Sequence, residues 1–376
     1  MDDLTALGGG MGHVRDTVGV AYSITPVNPE VLKVVLDRKV LSSGAALWLH
    51  TFLSSVSSDS NRVEAVIVEG KSGRQAICAK IFVDATGDGD LSSWAGATFE
   101  KGRSPDGKAQ PMTLIFRMAP VNLEKVISYM EEHKEEFHHE TLFGELRTHP
   151  ILGVSGFSSL FQKAQREEGL PIQRDRLLFF SSMRRDEVII NTTRVLGFDG
   201  TQTSDLTRAE VEGRAQMLAL ADFLRFRIPG FENSFITASA TQIGVRETRR
   251  IIGDYVLTAE DVMTGRKFHD GIAFGGFAID IHDPAGKGVT CTDPTAEYHI
   301  PYRCLLPIGL GNVLTAGRCI SATHEAFASS RVQATCMAVG QAAGTAAALA
   351  ARKGIKPREL DSGELRRILA QQGALV

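Results

Sequence analysis

Two short apolar runs that end in a small residue and glycine are the first candidates for a binding site. They are Ile81-Phe82-Val83-Asp84-Ala85-Thr86-Gly87 and Val313-Leu314-Thr315-Ala316-Gly317. In an open parallel sheet, ligands lie beyond the carboxyl ends of the strands, and glycine there lets a ligand approach the backbone without a Cβ in the way. Either run alone could be an ordinary strand-to-turn junction. The second is followed by a more specific arrangement: Gly317-Arg318-Cys319-Ile320-Ser321-Ala322-Thr323-His324-Glu325-Ala326, then Ser329-Ser330-Arg331-Val332-Gln333, then an alanine-rich stretch with Gly340 and Gly344. A helix starting near Ser330 directs unpaired N–H groups and the positive end of its dipole at whatever lies beyond the strand end. Gly340 and Gly344, on one face of that helix, are expected to let it pack closely on the sheet.

Other side chains could also do chemistry. Arg246, Arg249 and Arg250 with Glu247 can form an anion clamp, because guanidinium binds carboxylate bidentately, or an ion-pair network joining two parts of the fold. His299 and His324 could transfer protons near neutral pH, or be satisfied structural imidazoles. His138 and His139 are adjacent, which puts them on different faces of a helix, so no metal site is expected. Cys319 and Cys336 could form a redox pair, although buried small apolar side chains is the plainer reading.

The run from Lys80 to Lys101, with its Asp84-Ala85-Thr86-Gly87-Asp88-Gly89-Asp90-Leu91, resembles the FAD-dependent oxidoreductase family within the glutathione-reductase-like flavoproteins. So do Gln110-Pro111-Met112-Thr113, Val245-Arg246-Glu247-Thr248-Arg249-Arg250, Tyr298-His299-Ile300-Pro301-Tyr302-Arg303 and the block from Leu314 to Ala351, the most specific part. The resemblance runs through nearly the whole chain in order. It implies FAD as cofactor and hydride transfer between a small organic substrate and the flavin. It places Ala85, Thr86, Gly87 and Asp88 near the adenosine half, Gly317 and Arg318 near the ribityl-pyrophosphate stretch, and Ser330, Arg331 and Val332 near the ring. Tyr302, Arg303 and His324 become the candidate catalytic residues. Arg331, a cation in a first helical turn, calls for an anionic neighbour: reduced flavin, or a carboxylate such as Glu325.

One part of the family's pattern is missing. Such flavoproteins begin with a strand, G-x-G-x-x-G, a helix and a second strand ending in an acidic residue. Here Leu7-Gly8-Gly9-Gly10-Met11-Gly12-His13 fails the phasing, since His13 stands where the third glycine belongs. Met1 to Leu7 reads as the end of a helix capped by Gly8. The expectation is an N-terminally truncated pattern without the pyrophosphate loop. An enzyme, a non-catalytic fragment, and a subunit completed by a separate dinucleotide-binding polypeptide all remain open. Relatives resembling the A subunit of heterodisulfide reductase carry iron–sulfur clusters on clustered cysteines, and nothing here matches those motifs.

Several elements must position these residues. Asn28-Pro29-Glu30 followed by Leu32, Val35, Leu36 and Val40 reads as a capped amphipathic helix closed by Gly44. Ala46 to Leu53, Arg62 to Val68 and Gln75 to Asp84 read as a β-meander. Strands are expected at Thr113–Met118 and Asp186–Thr192, and helices at Ala209–Phe226, halted by Pro229-Gly230, and Asp361–Gln372. The fold class is α/β: a glutathione-reductase-like FAD/NAD(P)-binding fold, incomplete at its N-terminus, with an inserted α+β cap. The expected division is 1–112 for the remainder of the cofactor domain, 113–300 for the cap, 301–352 for the return segment and 353–376 for the tail.

Composition narrows the partners. With 376 residues, 43% hydrophobic, 23% charged and a net charge of −3, the chain can build a sizeable core and shows no basic excess for nucleic acid. A small-molecule substrate is expected, and neither nucleic acid nor membrane. Five cysteines without a C-x-x-C pair, and no basic-then-apolar leader, point to a reduced, cytoplasmic setting. The apolar stretch from Ala334 to Ala351 is expected to be a buried helix, because alanine offers little transfer free energy and Gln341 interrupts it.

Overall fold

In the computed structural model, which describes residues 1–104, 106–286 and 288–376, the chain starts with a short helix, α1 (Asp2–Ala6), ended by Gly8 at φ +67°. The following glycines serve packing. A side chain at Gly9 would collide with Val31, so this loop lies flush against α2 (Pro29–Ser42). A two-residue hairpin, β1 (Val14–Arg15) with β2 (Ser23–Ile24), comes between. As expected, the Asn28 side chain caps α2 by accepting from the Glu30 N–H at 3.0 Å, and Gly44 turns the chain at φ +78°. The amphipathic face is less covered than expected: α2 buries Val35 but leaves Val34, Leu36 and Leu41 exposed, next in the chain to exposed Leu47, Trp48, Leu49 and Phe52.

The meander forms as β3 (Thr51–Asp59), β4 (Arg62–Gly70) and β5 (Gly73–Cys78), paired antiparallel in that order. The single strand expected from Gln75 to Asp84 is two strands in two sheets. After β5 the chain leaves the meander, and β6 (Phe82–Asp84) pairs in parallel with β18 (Val313–Thr315). Asn312 ties both sheets together, its side chain accepting from the Val63 N–H at 2.9 Å and donating to the Val63 carbonyl at 2.8 Å. A short helix, α3 (Asp90–Trp94), and a strand, β7 (Phe99–Lys101), follow.

Residues between 116 and 239 form one five-stranded antiparallel sheet, in the order β12-β8-β11-β10-β9, which occupies the expected cap region. Its elements in chain order are β8 (Phe116–Ala119), α4 (Leu123–Glu132), β9 (Gly153–Gly156), α5 (Ser158–Glu167), β10 (Leu177–Ser181), β11 (Val188–Ile190), α6 (Thr203–Arg227) and β12 (Phe235–Ser239). Aromatic side chains fill its core, with Phe157, Phe161, Phe179 and Phe231 fully buried. The strands expected at Thr113–Met118 and Asp186–Thr192 are present but shorter. Threonine hydroxyls replace the ladder at their ends: Thr192 Oγ1 both accepts from and donates to the Leu178 backbone, and Thr193 does the same to Leu114.

The chain leaves the cap through β13 (Arg249–Ile251), paired with β7. A capping box, Thr258 with Asp261, starts α7 (Ala259–Met263). Two hairpin pairs follow, β14 (Gly271–Gly275) with β17 (Tyr298–Pro301), and β15 (Ile279–His282) with β16 (Val289–Thr292). Beyond β18 come α8 (His324–Ser330), α9 (Gln333–Lys353) and α10 (Ser362–Gln371). Leu257, Ile272, Tyr298 and Ile300 share one core with Leu314, Phe327, Val339, Ala346, Leu365 and Leu369.

The alanine-rich helix α9 departs from its expected packing. It buries Thr335, Val339, Ala342, Ala343, Ala346 and Ala350, while side chains added at Gly340 or Gly344 would meet open space. The glycine face therefore points away from the sheet, and the small residues on the buried face allow the close approach. The helix is covered on one side only.

Candidate functional site

The parallel pair β6–β18 brings the two sequence-predicted glycine turns together. Asp84, fully buried at the end of β6, organises the first turn. Its Oδ1 accepts from the Thr86 hydroxyl at 2.7 Å and the Thr86 N–H at 3.2 Å, and its Oδ2 accepts from the Ser92 N–H at 2.8 Å. Thr86 Oγ1 in turn accepts from the Asp90 N–H at 3.0 Å. Ala85 and Thr86 lie exposed at the strand end, and Gly87 takes φ +79°. Gly317 follows β18 at φ +81° with open space beside its Cα. Asp88 and Arg318 bridge the two turns in an ion pair of 2.8 Å, and Asp88 also accepts from the Thr248 hydroxyl. The φ of +79° at Gly87 favours glycine there, and a Cβ would push the Arg318 guanidinium aside.

A second, buried group stands behind the turns. Glu247 accepts from three donors: Arg250 Nη1, His324 Nδ1 at 2.9 Å and the Gln110 N–H at 3.0 Å. Side-chain exposures of 0% for Glu247, 2% for Arg250 and 5% for His324 mean that this pairing is screened little by water. A carboxylate that accepts from three sides fixes the histidine tautomer. Nδ1 donates to Glu247, and Nε2 is buried without a protein partner among the described residues.

The two readings of the arginine cluster divide by residue. Arg250 also donates to the Ala322 and Gly102 carbonyls, and Arg249 pairs with Asp90 at 2.7 Å and the Asp88 carbonyl, so both belong to an ion-pair network. Arg246 does not. It donates to the Pro111 carbonyl and makes no ion pair among the described residues.

The third group surrounds Arg331. The helix expected to start near Ser330 starts instead at Gln333. Ser330 ends α8, Arg331 follows it, and Val332 is the N-cap of α9 without a side-chain hydrogen bond, which leaves the first N–H groups of α9 uncapped. The Ser330 hydroxyl is buried without a partner. Arg331 Nη2 pairs with Asp280 at 3.2 Å, so its anionic neighbour is Asp280 on β15 and not Glu325. Burial alone would raise the Asp280 carboxyl, but His282, Arg331 and Arg246 hold it down at about 2. Burial, reinforced by Arg246, drives the His282 imidazole down to about 4 against the pull of Asp280, so it is neutral at pH 7.

Two expected residues stand elsewhere. The Tyr302 hydroxyl donates to the Pro357 carbonyl at 2.9 Å, and burial pushes its pKa far up. Arg303 forks onto Asp270 at 2.9 and 3.2 Å and stacks over Tyr255. Neither joins the group around the strand ends. The His299 ring is taken by the Phe268 backbone. Sequence reasoning missed Glu247 as the hub, Asp84 as the organiser of the turn, and Gln110, Asp280 and His282 around Arg331. The D-A-T order at Asp84 and the Glu247-x-x-Arg250 spacing were the available signals for the first two; the others have no local signature.

Comparison with known proteins gives one family and a set of distant folds. Residues 1–369 match the family described as FAD dependent oxidoreductase. No curated protein matches. Among solved structures, the flavin-dependent brominase Bmp2 triple mutant is 11% identical, with a TM-score of 0.43, over 98% of this chain and 69% of that one. A geranylgeranyl bacteriochlorophyll reductase-like protein from Thermoplasma acidophilum is 10% identical, with a TM-score of 0.37, over 96% of this chain and 75% of that one. The p-nitrophenol 4-monooxygenase PnpA from Pseudomonas putida DLL-E4 is 11% identical, with a TM-score of 0.35, over 62% of this chain. The chain spans about half, 46%, of that last structure.

Proposed function

The chain belongs to the FAD-dependent oxidoreductase family, and from that premise we propose that it transfers hydride between a small organic substrate and FAD held at the ends of β6 and β18. The observation that carries the reading is the meeting of the Gly87 and Gly317 turns at one end of a parallel strand pair, with unsatisfied buried groups alongside. Ser330 Oγ, Arg318 Nε and His324 Nε2 are buried without partners among the described residues, and a polar ring with its ribityl chain can supply them. The residues fit the ribityl and ring part of FAD. Among the described residues the pyrophosphate part finds no strand–glycine-loop–helix, and of the glycines after α1, Gly9 packs against Val31 of α2. In this reading the pattern is that of a glutathione-reductase-like fold.

Bound FAD supplies the hydride acceptor, and the chain supplies position, charge and a proton site. His324 Nε2 takes the substrate proton, while Glu247 holds the Nδ1–H and stabilises the imidazolium that forms. Arg331 and the uncapped N-terminus of α9 face the charge that develops on reduction. The cap covers the substrate. Five free cysteines, two of them exposed, suit a reducing compartment.

FAD titration of the purified chain, followed by flavin absorbance and by fluorescence, tests the reading. Saturable uptake that is lost on desalting is expected, since the pyrophosphate loop is missing. A chain that stays yellow after desalting overturns the weak-binding expectation, and no uptake at any concentration leaves only the fragment or subunit reading. In flavin-loaded protein, Arg331→Met is expected to lower the midpoint potential, by about 30 mV for each ~1.4 kcal/mol of lost stabilisation of the anionic reduced form. An unchanged potential assigns Arg331 to its structural pair with Asp280.

A further inference from the structure

The guanidiniums of Arg331, Arg246, Arg174 and Arg194 all feel the charge of one carboxylate, Asp280, and of these only Arg331 touches it. Arg331 pairs with Asp280 and touches Gln110 Oε1 at 3.5 Å. Arg246 donates only to the Pro111 carbonyl, and Arg174 Nη1 only to the Asn191 carbonyl at 2.9 Å. Arg194, 3% exposed, donates Nη2 to the Asp283 and Gly288 carbonyls at 3.1 and 2.7 Å. The other acids of the neighbourhood are shared with further cations: Asp283 pairs with Arg103 and also acts on Arg194, Asp175 pairs with Arg176 and also acts on Arg174 and Arg194, and Glu247 pairs with Arg250 and also acts on Arg331. His282, on Asp280, is neutral.

The cluster also carries unused donors. Arg174 Nε, Arg194 Nε and Nη1, Arg331 Nε and Gln110 Nε2 are buried and unpartnered among the described residues. Each unsatisfied buried donor costs about 1–3 kcal/mol, more when charged, so the cluster is poorly explained as a stability device. Burial, and the repulsion of Arg331 and other nearby arginines, draws Arg246 down to about 9; burial and Arg194 draw Arg174 down to about 10. Both remain cations at neutral pH. The group therefore holds an excess of positive charge and several buried, unused donors.

We infer that Arg174, Arg194, Arg246 and Arg331 form the seat of a carboxylate-bearing substrate, with charge enough for a dicarboxylate. The inference rests on the oxidoreductase reading above and names its substrate class. Two of the arginines, Arg174 and Arg194, come from the cap, and Arg246 lies just after it, where the chain passes back toward β13. A molecule gripped there is held from the cap side, with Arg331 reaching it from the strand-end side. The cofactor's pyrophosphate is the other anion that could answer this chemistry, and it is expected at Gly317 and Arg318 instead.

Isothermal titration of the whole chain with oxalate and with succinate tests the inference without requiring FAD. Saturable binding of at least one is expected, with none for the neutral diamide succinamide. Arg246→Gln and Arg194→Gln should each weaken it about tenfold or more, the loss of one charged hydrogen bond, while the exposed Arg214→Gln should leave it unchanged. Two variants guard against one that fails to fold, and circular dichroism reports folding. The inference is overturned if folded wild-type protein binds neither acid, or if both folded arginine variants bind as tightly as wild type. Displacement of the bound acid by ADP, with the same sensitivity to Arg246→Gln, assigns the cluster to the pyrophosphate and also overturns it. Failure of FAD uptake with carboxylate binding intact removes the functional reading alone.

Discussion

Replacing Glu247 by alanine is expected to cost about 3–5 kcal/mol of stability, enough to unfold much of the population at ambient temperature. The magnitude follows from what the substitution strands. Arg250, 2% exposed, would lose its carboxylate and keep its charge in a site without water, and the His324 Nδ1–H and the Gln110 N–H would lose their acceptor at the same moment. Denaturant unfolding followed by circular dichroism measures it. Glu247→Gln should lose less, since an amide oxygen still accepts one bond although the charge is gone. A midpoint shift in Glu247→Ala no larger than that of an exposed pair such as Lys33 with Glu30, worth ~0.5 kcal/mol, would mean that the burial of this network contributes little.

His324→Gln is expected to leave the protein folded and slow flavin reduction by about 10²–10⁴-fold. Glutamine can keep a hydrogen bond to Glu247 but cannot accept a proton at the place of Nε2. Rapid-mixing measurement of flavin reduction reads the effect directly. A rate within a few-fold of wild type would return His324 to a structural role and move the search for a base to other groups of the cleft.

The sequence carried the local elements well. The Asn28-Pro29 start and Gly44 end of α2, the meander, the α6 stop at Pro229-Gly230 and the two glycine turns all rest on short-range rules of capping, period and φ, and all are present. What it could not carry depends on who meets whom across long separations. Nothing near Glu247 announces His324 or the Gln110 N–H, and Arg331 meets Asp280 only because β15 folds back beside α8. Tyr302 and Arg303 were attractive because they precede the return of the chain, yet Pro357 and Asp270 claim them. The small residues of α9 raised the same difficulty: glycine spacing identifies a face but does not say whether that face meets protein. The structure put alanines inward and Gly340 and Gly344 outward.

The parallel pairing of Phe82–Asp84 with Val313–Thr315 has a consequence for how the chain comes to be folded. During synthesis β6 emerges long before its partner, and the cap, contiguous in sequence and with its own aromatic core, can close while β6 still waits. A parallel strand pair closed over so long a loop forms late, after the entropy of that closure has been met. In that interval the β6 edge and the bare apolar side chains from Leu47 to Phe52 are open to wrong partners. Nascent chains stalled short of Val313 should therefore hold a protease-resistant cap and engage chaperones through the segment before it, and release of the last residues of β18 is the event that ends that dependence.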